Sequence, residues 1–274
     1  MSFFIAKSII HMKSISIITV TYNAVATIAD CLASVNGQTM PVEHIIIDGA
    51  STDSTLEIVR GISPCARIIS EPDLGIYDAM NKGIRLASGD IVGILNADDF
   101  YAHSGVLAKV AAVFADPMVD ACYGDLVYVS EKLESGIGNR ESGVSTQNFR
   151  IVRYWKSGEF RPEKFFWGWM PPHPTFFVRK SVYERYGMFN PDLGTAADYE
   201  LMLRFLLKHQ ITTAYIPEVL VKMRTGGMSN VSLANRLKAN RMDRMAWEVN
   251  GLKPRPWTLM MKPLSKIPQY FRKP

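Results

Sequence analysis

The segment Ile91-Val92-Gly93-Ile94-Leu95-Asn96-Ala97-Asp98-Asp99 joins an apolar run to two adjacent acidic residues. The run is typical of a buried strand, so both carboxylates are expected at the edge of a sheet, where they repel each other unless a cation lies between them. Such oxygen ligands suit Mg²⁺ or Mn²⁺ shared with substrate phosphates. An N-cap for the helical pattern from Ser104 to Ala115 explains an aspartate equally well.

Predicted strands and helices alternate on both sides of this segment. The strands are Ser14 to Val20, Val42 to Asp48, Arg67 to Ser70 and Ile91 to Leu95. The helices are Ile28 to Gly37, Thr55 to Ile62, Tyr77 to Leu86 and Ser104 to Phe114. This order predicts an α/β fold with a mainly parallel central sheet and helices on both faces.

Polar clusters follow each of these four strands, namely Thr21-Tyr22-Asn23, Asp48 to Asp53, Glu71-Pro72-Asp73 and Asp98-Asp99. Ligands of such sheets bind beyond the carboxyl ends of the strands. One cluster after a strand is a turn, whereas four after successive strands predict a binding site.

The alternation stops after Tyr123. The stretch from Glu131 to Gln147 is rich in Gly, Ser and charge and predicts a loop or hairpin. An aromatic segment from Phe165 to Trp169 follows, and Ala197 to Lys208 has the pattern of an amphipathic helix that begins beside Asp198.

Composition predicts a globular protein of the reducing cytoplasm. The 274 residues are 47% hydrophobic, and the three cysteines are scattered without a paired or metal-binding spacing. No run approaches the roughly 20 apolar residues that span a bilayer. Lys7, His11 and Lys13 interrupt the apolar start of the chain, which argues against a signal peptide.

Positive charge is concentrated at the C-terminal end. Twelve of the 31 Lys and Arg residues, but only two of the 26 Asp and Glu residues, lie from Lys222 onward, so this part has a net charge of +10 and the rest −5. Apolar residues recur among these cations from Trp257 to Phe271. The pattern predicts an anionic membrane surface as partner, and packing on the protein's own body is the alternative.

The chain resembles family 2 nucleotide-sugar glycosyltransferases with the GT-A fold. The match comprises Ile17 to Asn23, then Leu32, Ser34 and Gln38, then Ile47 to Asp53, Asp98-Asp99 and Asp198. It covers Ile15 to Ser229. It implies a GT-A domain over residues 1–230, with the donor part at about 14–125 and the acceptor and base part at about 126–230, and a basic helical extension over residues 231–274. The segment Ser70 to Gly83 resembles the branch of bacterial exopolysaccharide and O-antigen assembly.

The resemblance implies a nucleotide site and a metal. Asp48 would accept from N3–H of uracil, although an Asx-turn cap is its simpler role. Asp99 would bind Mn²⁺ or Mg²⁺ on the donor diphosphate, and Asp98 would reach the ribose or the water shell of the metal. The remaining donor-binding residues expected from the family pattern are Thr21, Tyr22, Asn23, Ser51, Asp78, Asn81, Lys82 and Arg224.

The same resemblance implies a catalytic base and an acceptor. Asp198 would take the proton of the acceptor hydroxyl during an inverting displacement, with Glu200 as the rival base. Trp167, Trp169 and His173 would form the acceptor platform. The acceptor implied is a saccharide on a polyprenyl diphosphate, which would place the protein on the inner face of the cell membrane.

Two other functions remain open from the sequence. A nucleotidyltransferase would use similar acids, but the segment Thr21 to Val25 lacks a glycine-rich phosphate loop. A non-enzymatic nucleotide-sugar-binding module is the second alternative. No nucleic-acid-binding motif is present in the sequence, so no nucleic acid is expected as partner.

Overall fold

The computed structural model describes residues 14–131, 149–225 and 233–274, with the backbone alone at 233–239. These residues form one mixed sheet with helices around it. The strands are β1 (Ile15–Thr21), β2 (Glu43–Asp48), β3 (Arg67–Ser70), β4 (Ile91–Ile94), β5 (Asp99–Tyr101), β6 (Ala121–Glu131), β7 (Phe149–Trp155), β8 (Phe177–Arg179) and β9 (Thr213–Arg224).

The α-helices alternate with the first strands and then gather in the second half of the chain. They are α1 (Ile28–Asn36), α2 (Thr55–Ile62), α3 (Ile76–Leu86), α4 (Val106–Val113), α5 (Lys180–Tyr186), α6 (Ala197–Met202), α7 (Leu233–Val249) and α8 (Thr258–Leu264). A π-helix over Leu203–Lys208 continues α6, so the predicted amphipathic helix from Ala197 to Lys208 is present but changes its winding. No helix in the described ranges is long and apolar enough to cross a membrane.

Sheet topology confirms the α/β prediction and corrects one part of it. The neighbours β3, β2, β1 and β4 are parallel, as predicted. Beyond β4 the sheet is mixed, because β8 is antiparallel to β4 and β6, whereas β9 is parallel to β6 and antiparallel to β5. Parallel neighbours need crossover helices, which the second half of the chain does not supply between all of its strands.

Alternate residues of β1 pack into two separate cores. Ile18 and Val20 face the core that contains α3, whereas Ile15 and Ile17 face the core that contains α1 and α4. All seven residues of β1 are buried. A strand that is buried on both faces has consecutive apolar residues instead of an alternation of apolar and polar ones. The sequence therefore predicted β1 from its apolar run.

The acidic pair does not cap a helix. Asp99 begins β5, where it pairs with Met223 of β9, and α4 begins only at Val106. The N-cap explanation of Asp98-Asp99 is therefore wrong. A short strand formed immediately after an acidic turn has no apolar periodicity, so the sequence pattern did not reveal β5.

The basic C-terminal extension packs on the body of the protein. Trp247 of α7 is fully buried, and its indole N–H donates to the Tyr199 hydroxyl at 3.0 Å. Further along, Thr258 donates to the Phe166 carbonyl at 2.9 Å and Ser265 to the Gly168 carbonyl at 3.3 Å. The extension is thus continuous with the core around α6.

Gly168 permits the close approach of α8. Its φ is +77°, and a Cβ there would lie 2.3 Å from the Lys262 backbone nitrogen. We expect Gly168→Ala to lower the free energy of unfolding by about 1–3 kcal/mol more than Gly251→Ala, as over-packing does. Gly251 is the matched control, because it has a φ of +68° and open space around its Cβ position. Urea unfolding of both variants measures the difference, and equal losses would contradict the tight contact.

Candidate active site

The loops after β1 and β2 hold each other through side-chain and backbone hydrogen bonds. The Asn23 backbone N–H donates to the Ser51 hydroxyl at 2.8 Å, and the Asn23 side chain accepts from the Thr52 backbone N–H at 2.9 Å. Asn23 and Ala50 adopt positive φ values of 48° and 62°, which are uncommon for residues other than glycine. Such strain persists only where neighbours fix the backbone, and it is concentrated at functional sites.

Asp48 fixes the loop that follows β2. Its side chain is fully buried and accepts hydrogen bonds from the Ser51 backbone N–H at 3.0 Å, the Ser51 hydroxyl and the Ser70 hydroxyl at 2.7 Å. This is the turn-forming role that the Asp-Gly sequence also predicted. Its Oδ1 accepts only the Ser51 hydroxyl among the described residues, and a contact of Asp48 with a nucleotide base remains a prediction.

Thr21 and Tyr22 provide contrasting surfaces at the end of β1. The Thr21 hydroxyl is buried and has no hydrogen-bond partner in the described ranges. Tyr22 is 64% exposed and lies against Gly49. A polar atom without a partner and an exposed ring are the groups that a bound nucleotide would satisfy and stack upon.

The two adjacent aspartates differ in burial. Asp98 is partly exposed, whereas Asp99 is fully buried and its Oδ1 has no hydrogen-bond partner in the described part of the chain. Burial raises the pKa of Asp99 well above its usual range, and the neighbouring charge of Asp98 raises it further. Burial also raises the pKa of Asp98. Asp98 is therefore the more accessible carboxylate, and the expected role of Asp99 as the metal ligand remains a prediction.

These carboxylates fit a metal ion that has few protein ligands. No group of three His, Cys, Asp or Glu residues within the described ranges is placed to hold one. Asn96 occupies the position where a third acid would stand, and its amide donates to Asp99 at 3.4 Å. An oxygen without a partner beside a second carboxylate suits a divalent ion whose other ligands are water and phosphate oxygens.

Arg224 holds the turn that contains Asp98 and Asp99. It is 9% exposed, forms an ion pair with Asp30 of α1 and donates to the Asp98 carbonyl at 3.3 Å. Its guanidinium also lies 5.0 Å from the centre of the Phe100 ring. A contact with a diphosphate would require these bonds to exchange, so that role remains a prediction. The resemblance also implies that Arg224 belongs to a flexible loop that closes over the donor, and the glycines of that loop, residues 226–227, lie outside the described residues.

Asn81 and Lys82, both expected to bind the donor, are engaged by partners within the protein. Both polar ends of the buried Asn81 amide bond the Phe189 backbone, at 2.9 and 3.0 Å. The Lys82 ammonium lies 2.7 Å from Asp73, 2.9 Å from Glu71 and 3.6 Å from Asp78. Asn81 therefore joins α3 to the segment before α6, and Lys82 neutralises an acidic loop. The sequence offered no signal for the partner of Asn81, because Phe189 lies more than 100 positions away.

Asp198 lies at the start of α6 among aromatic and imidazole groups. Burial raises the pKa of Tyr77, and the Asp198 charge raises it further. Burial lowers the pKa of His173, which the Asp198 charge opposes. His173 therefore stays neutral at neutral pH. Asp198 is partly exposed, so its carboxylate is available to a ligand.

Glu200 is held in a structural ion pair. It is 3% exposed, and Arg204 donates to its two oxygens at 2.9 and 3.0 Å. The Asn250 amide donates to the same carboxylate at 3.1 Å. A base needs a free lone pair directed at the substrate. The geometry therefore favours Asp198 over Glu200.

Arg153 is a site residue that the sequence analysis missed. Its guanidinium lies 3.9 Å from the centre of the Tyr128 ring, and its Nε and Nη2 are buried without a partner in the described ranges. Burial raises the pKa of Tyr128, Arg153 opposes that shift, and the charges of Asp99 and Asp198 both add to it. Arg153 thus packs on a ring that lies within electrostatic range of both carboxylates. An isolated arginine in a strand carries no sequence signal of this kind.

The model of the family described as glycosyl transferase family 2 matches residues 16–187. This chain belongs to that family. The glycosyltransferase is 31% identical over 222 residues to the PGL/p-HBAD biosynthesis glycosyltransferase of Mycobacterium tuberculosis, and the match covers 78% of each chain. It is 28% identical over 205 residues to chondroitin synthase of Pasteurella multocida, 73% of this chain and 20% of that protein.

Solved structures share the fold of this glycosyltransferase. S. aureus TarS 1–349 in complex with UDP-GlcNAc has a TM-score of 0.61 at 17% identity, over 90% of this chain and 69% of that chain. The longer S. aureus TarS structure matches over 43% of its length, with a TM-score of 0.62. Mannosyltransferase PcManGT from Pyrobaculum calidifontis, in complex with GDP-Man and Mn²⁺, has a TM-score of 0.61 at 18% identity, over 93% of this chain and 74% of that chain. The expected GT-A fold is confirmed.

The three aromatic residues predicted as an acceptor platform do not form one surface in the glycosyltransferase. Trp167 is 54% exposed, and its ring lies 5.8 Å from that of Trp257 in the extension. Trp169 packs inside an aromatic cluster, and its N–H donates to the Ser157 carbonyl at 2.8 Å. His173 lies close enough to Asp198 for that charge to oppose the lowering of its pKa by burial. The sequence pattern did not predict that Trp257 of the extension contacts Trp167.

Proposed function

We propose that this glycosyltransferase moves a hexose or N-acetylhexosamine from a UDP-sugar to a hydroxyl of a lipid-linked saccharide, with inversion at the anomeric carbon. The observation that carries the proposal is the position of Tyr128: burial raises its pKa most, and the charges of both Asp99 and Asp198 raise it further, so both carboxylates lie near this residue. One carboxylate suited to a metal and one suited to a base thus lie near the same side chain. A direct displacement needs these two functions on opposite sides of the sugar.

The donor would bind at the ends of β1, β2 and β4. Tyr22 and Thr21 offer an exposed ring and a hydroxyl without a partner, and the backbone of the neighbouring loops is fixed by Asp48 and Ser51. A pre-formed backbone loses little entropy when the nucleotide binds. Fold neighbours bound to UDP-GlcNAc and GDP-Man support a nucleotide-sugar in this position.

Asp98 and Asp99 would hold Mn²⁺ or Mg²⁺ together with the donor phosphates. The ion would neutralise the negative charge that develops as the nucleoside diphosphate departs. The two N–H groups of Arg153 that lack partners would donate to the same diphosphate. The neighbour with GDP-Man also contains Mn²⁺, which supports a divalent ion in this fold.

Asp198 would accept the proton of the acceptor hydroxyl. The N-terminal end of α6, where Asp198 lies, favours negative charge. His173, neutral beside it, would accept or donate one hydrogen bond and hold the acceptor in line with the anomeric carbon. Proton transfer from the acceptor hydroxyl to Asp198 would therefore not require the buried Glu200.

We expect Asp198→Asn to lower the transfer rate by roughly 10² to 10⁴ while UDP-sugar binding changes little, because the amide keeps the shape and loses the basic lone pair. Single-turnover transfer and calorimetric titration of the donor measure the two effects. Glu200→Gln is the matched control. It should lower the melting temperature by breaking the pair with Arg204, yet each folded molecule should still transfer sugar at a rate within a few-fold of wild type. The opposite pattern would make Glu200 the base.

We expect Asp98→Asn and Asp99→Asn each to weaken Mn²⁺-dependent UDP binding at least about tenfold, because one charged oxygen ligand is lost. In excess chelator, Asp99→Asn should melt no lower than wild type, because the amide relieves the burial of two adjacent charges. The difference in melting temperature between Asp99→Asn and wild type should shrink as pH falls, since protonation of Asp99 relieves the same repulsion in wild type. Full wild-type activity in chelator would refute the metal site.

The extension would hold the enzyme at an anionic membrane. It leaves an apolar surface exposed beside Trp167, comprising Trp257, Met260, Leu264, Ile267 and Phe271. Exposed cations flank it at Lys253, Arg255, Arg272 and Lys273. A surface of this composition binds the interface of a bilayer through burial of its apolar side chains and through attraction of its cations to anionic lipid. The attraction contributes about 1 kcal/mol for each basic residue near the lipid. A lipid-linked acceptor would then be concentrated beside the enzyme.

We expect the double variant Met260→Ser with Phe271→Ser to lose most of its sedimentation with phosphatidylglycerol vesicles, and wild-type binding to fall as salt rises. These side chains are 67% and 83% exposed, so the fold should survive their replacement. The matched control replaces Met118 and Ile62, exposed apolar residues outside this surface, by serine. Equal pelleting of the two double variants would refute the membrane surface.

A further inference from the structure

A cleft lies between the end of β7 and the C-terminal extension, apart from the nucleotide loops. It has a volume of about 230 Å³. Its charged lining residues are Lys156, Lys164, Lys262, Lys266 and Arg272, and no Asp or Glu is among the described residues that line it. A concave surface that carries only one sign of charge concentrates ions of the other sign.

The cations of this cleft are poorly compensated. Within the described ranges, Lys156, Lys266 and Arg272 form no ion pair, whereas Lys262 is paired with Asp243 at 2.6 Å. Burial lowers the pKa of Lys266, and the neighbouring Lys262 and Arg153 lower it further. Cations held together against their mutual repulsion are expected where a bound anion relieves it.

A second, independent feature indicates a ligand. Gln269 is 7% exposed and lines the cleft, and its Oε1 has no hydrogen-bond partner in the described part of the chain. A buried amide oxygen without a donor costs free energy unless a ligand supplies one. A hydroxyl group next to an anionic group would satisfy Gln269 and the lysines together.

The cleft adjoins the base side of the active site. The Lys266 ammonium lies close enough to Asp198 for its pKa to be raised by that charge. The Lys262 ammonium lies 3.7 Å from the centre of the Tyr199 ring, and Tyr199 follows Asp198 in α6. An anion in the cleft would therefore belong to the acceptor rather than to the donor. A volume of this size holds a phosphate group with part of one sugar, not a whole saccharide.

We propose that this cleft binds the phosphate or diphosphate of the acceptor, with Lys266 and Arg272 on the phosphate oxygens and Gln269 on an adjacent sugar hydroxyl. The proposal rests on the proposed transfer to a phosphate-bearing acceptor. It assigns to the extension a direct part in acceptor recognition, distinct from membrane attachment by the exposed apolar surface. Specificity for a phosphorylated acceptor follows, because an uncharged saccharide leaves the cations uncompensated.

Titration of inorganic pyrophosphate into the full chain tests the proposal, with UDP and Mg²⁺ both present at saturation in every sample. Saturating UDP keeps the probe away from the donor loops. We expect measurable binding by wild type and at least about tenfold weaker binding by Lys266→Gln and by Gln269→Glu. Gln269→Glu keeps the shape and places a competing carboxylate in the cleft. Lys266→Arg should retain binding, and Lys208→Gln, an exposed lysine outside the cleft, is the control.

The outcomes separate the possible failures. Pyrophosphate binding that is absent, or equal in all variants, overturns the cleft while UDP binding by calorimetry still supports the proposed enzyme. Loss of UDP binding in wild type would instead overturn the proposed function. A parallel sedimentation with phosphatidylglycerol vesicles distinguishes the source of the phosphate. Unchanged pelleting of Lys266→Gln supports the acceptor, whereas pelleting that falls with pyrophosphate binding assigns the cleft to a lipid headgroup and overturns the proposal.

Discussion

The pairing of β1 with β2 on one side and β4 on the other is the constraint on which the site depends. β1 is buried at every position, and the registers Thr21↔Asp48 and Ile18↔Ile94 bring the ends of these strands to one edge. Parallel strands place their carboxyl ends together by geometry alone. Short loops then bring the residues expected to bind the donor, from Tyr22 to the acidic pair, to the same edge of the sheet.

Groups at that edge are held in positions that cost free energy without a ligand. Asp99 is buried beside another carboxylate, the Thr21 hydroxyl lacks a partner, and Asn23 and Ala50 have positive φ. The rest of the fold stabilises them, through the ion pair of Arg224 with Asp30 and the hydrogen bonds that Asp48 accepts from the serines. Pre-organised strain of this kind is typical of a site built to bind charge.

The C-terminal extension supports the helix that carries Asp198. Trp247 supports Tyr199 from beneath, Asn250 satisfies Glu200, and Lys262 covers the Tyr199 ring. The helix that carries Asp198 is therefore positioned by residues about 50 places later in the chain. The extension therefore has three roles. It stabilises the helix that carries Asp198, lines the cationic cleft and presents an exposed apolar surface.

The sequence by itself determined the family, the first four strands with their helices, and the segments in which Asp98, Asp99 and Asp198 lie, because local periodicity and motif spacing encode these. Helix α2 and strand β3 begin and end where the sequence predicts. Tertiary structure alone decided which carboxylate is buried, that Asn81 bonds Phe189, and that Arg153 packs on the Tyr128 ring. It also placed Trp167 against Trp257 and separated the predicted platform. These outcomes depend on contacts between distant segments, whose side-chain partners no local pattern records.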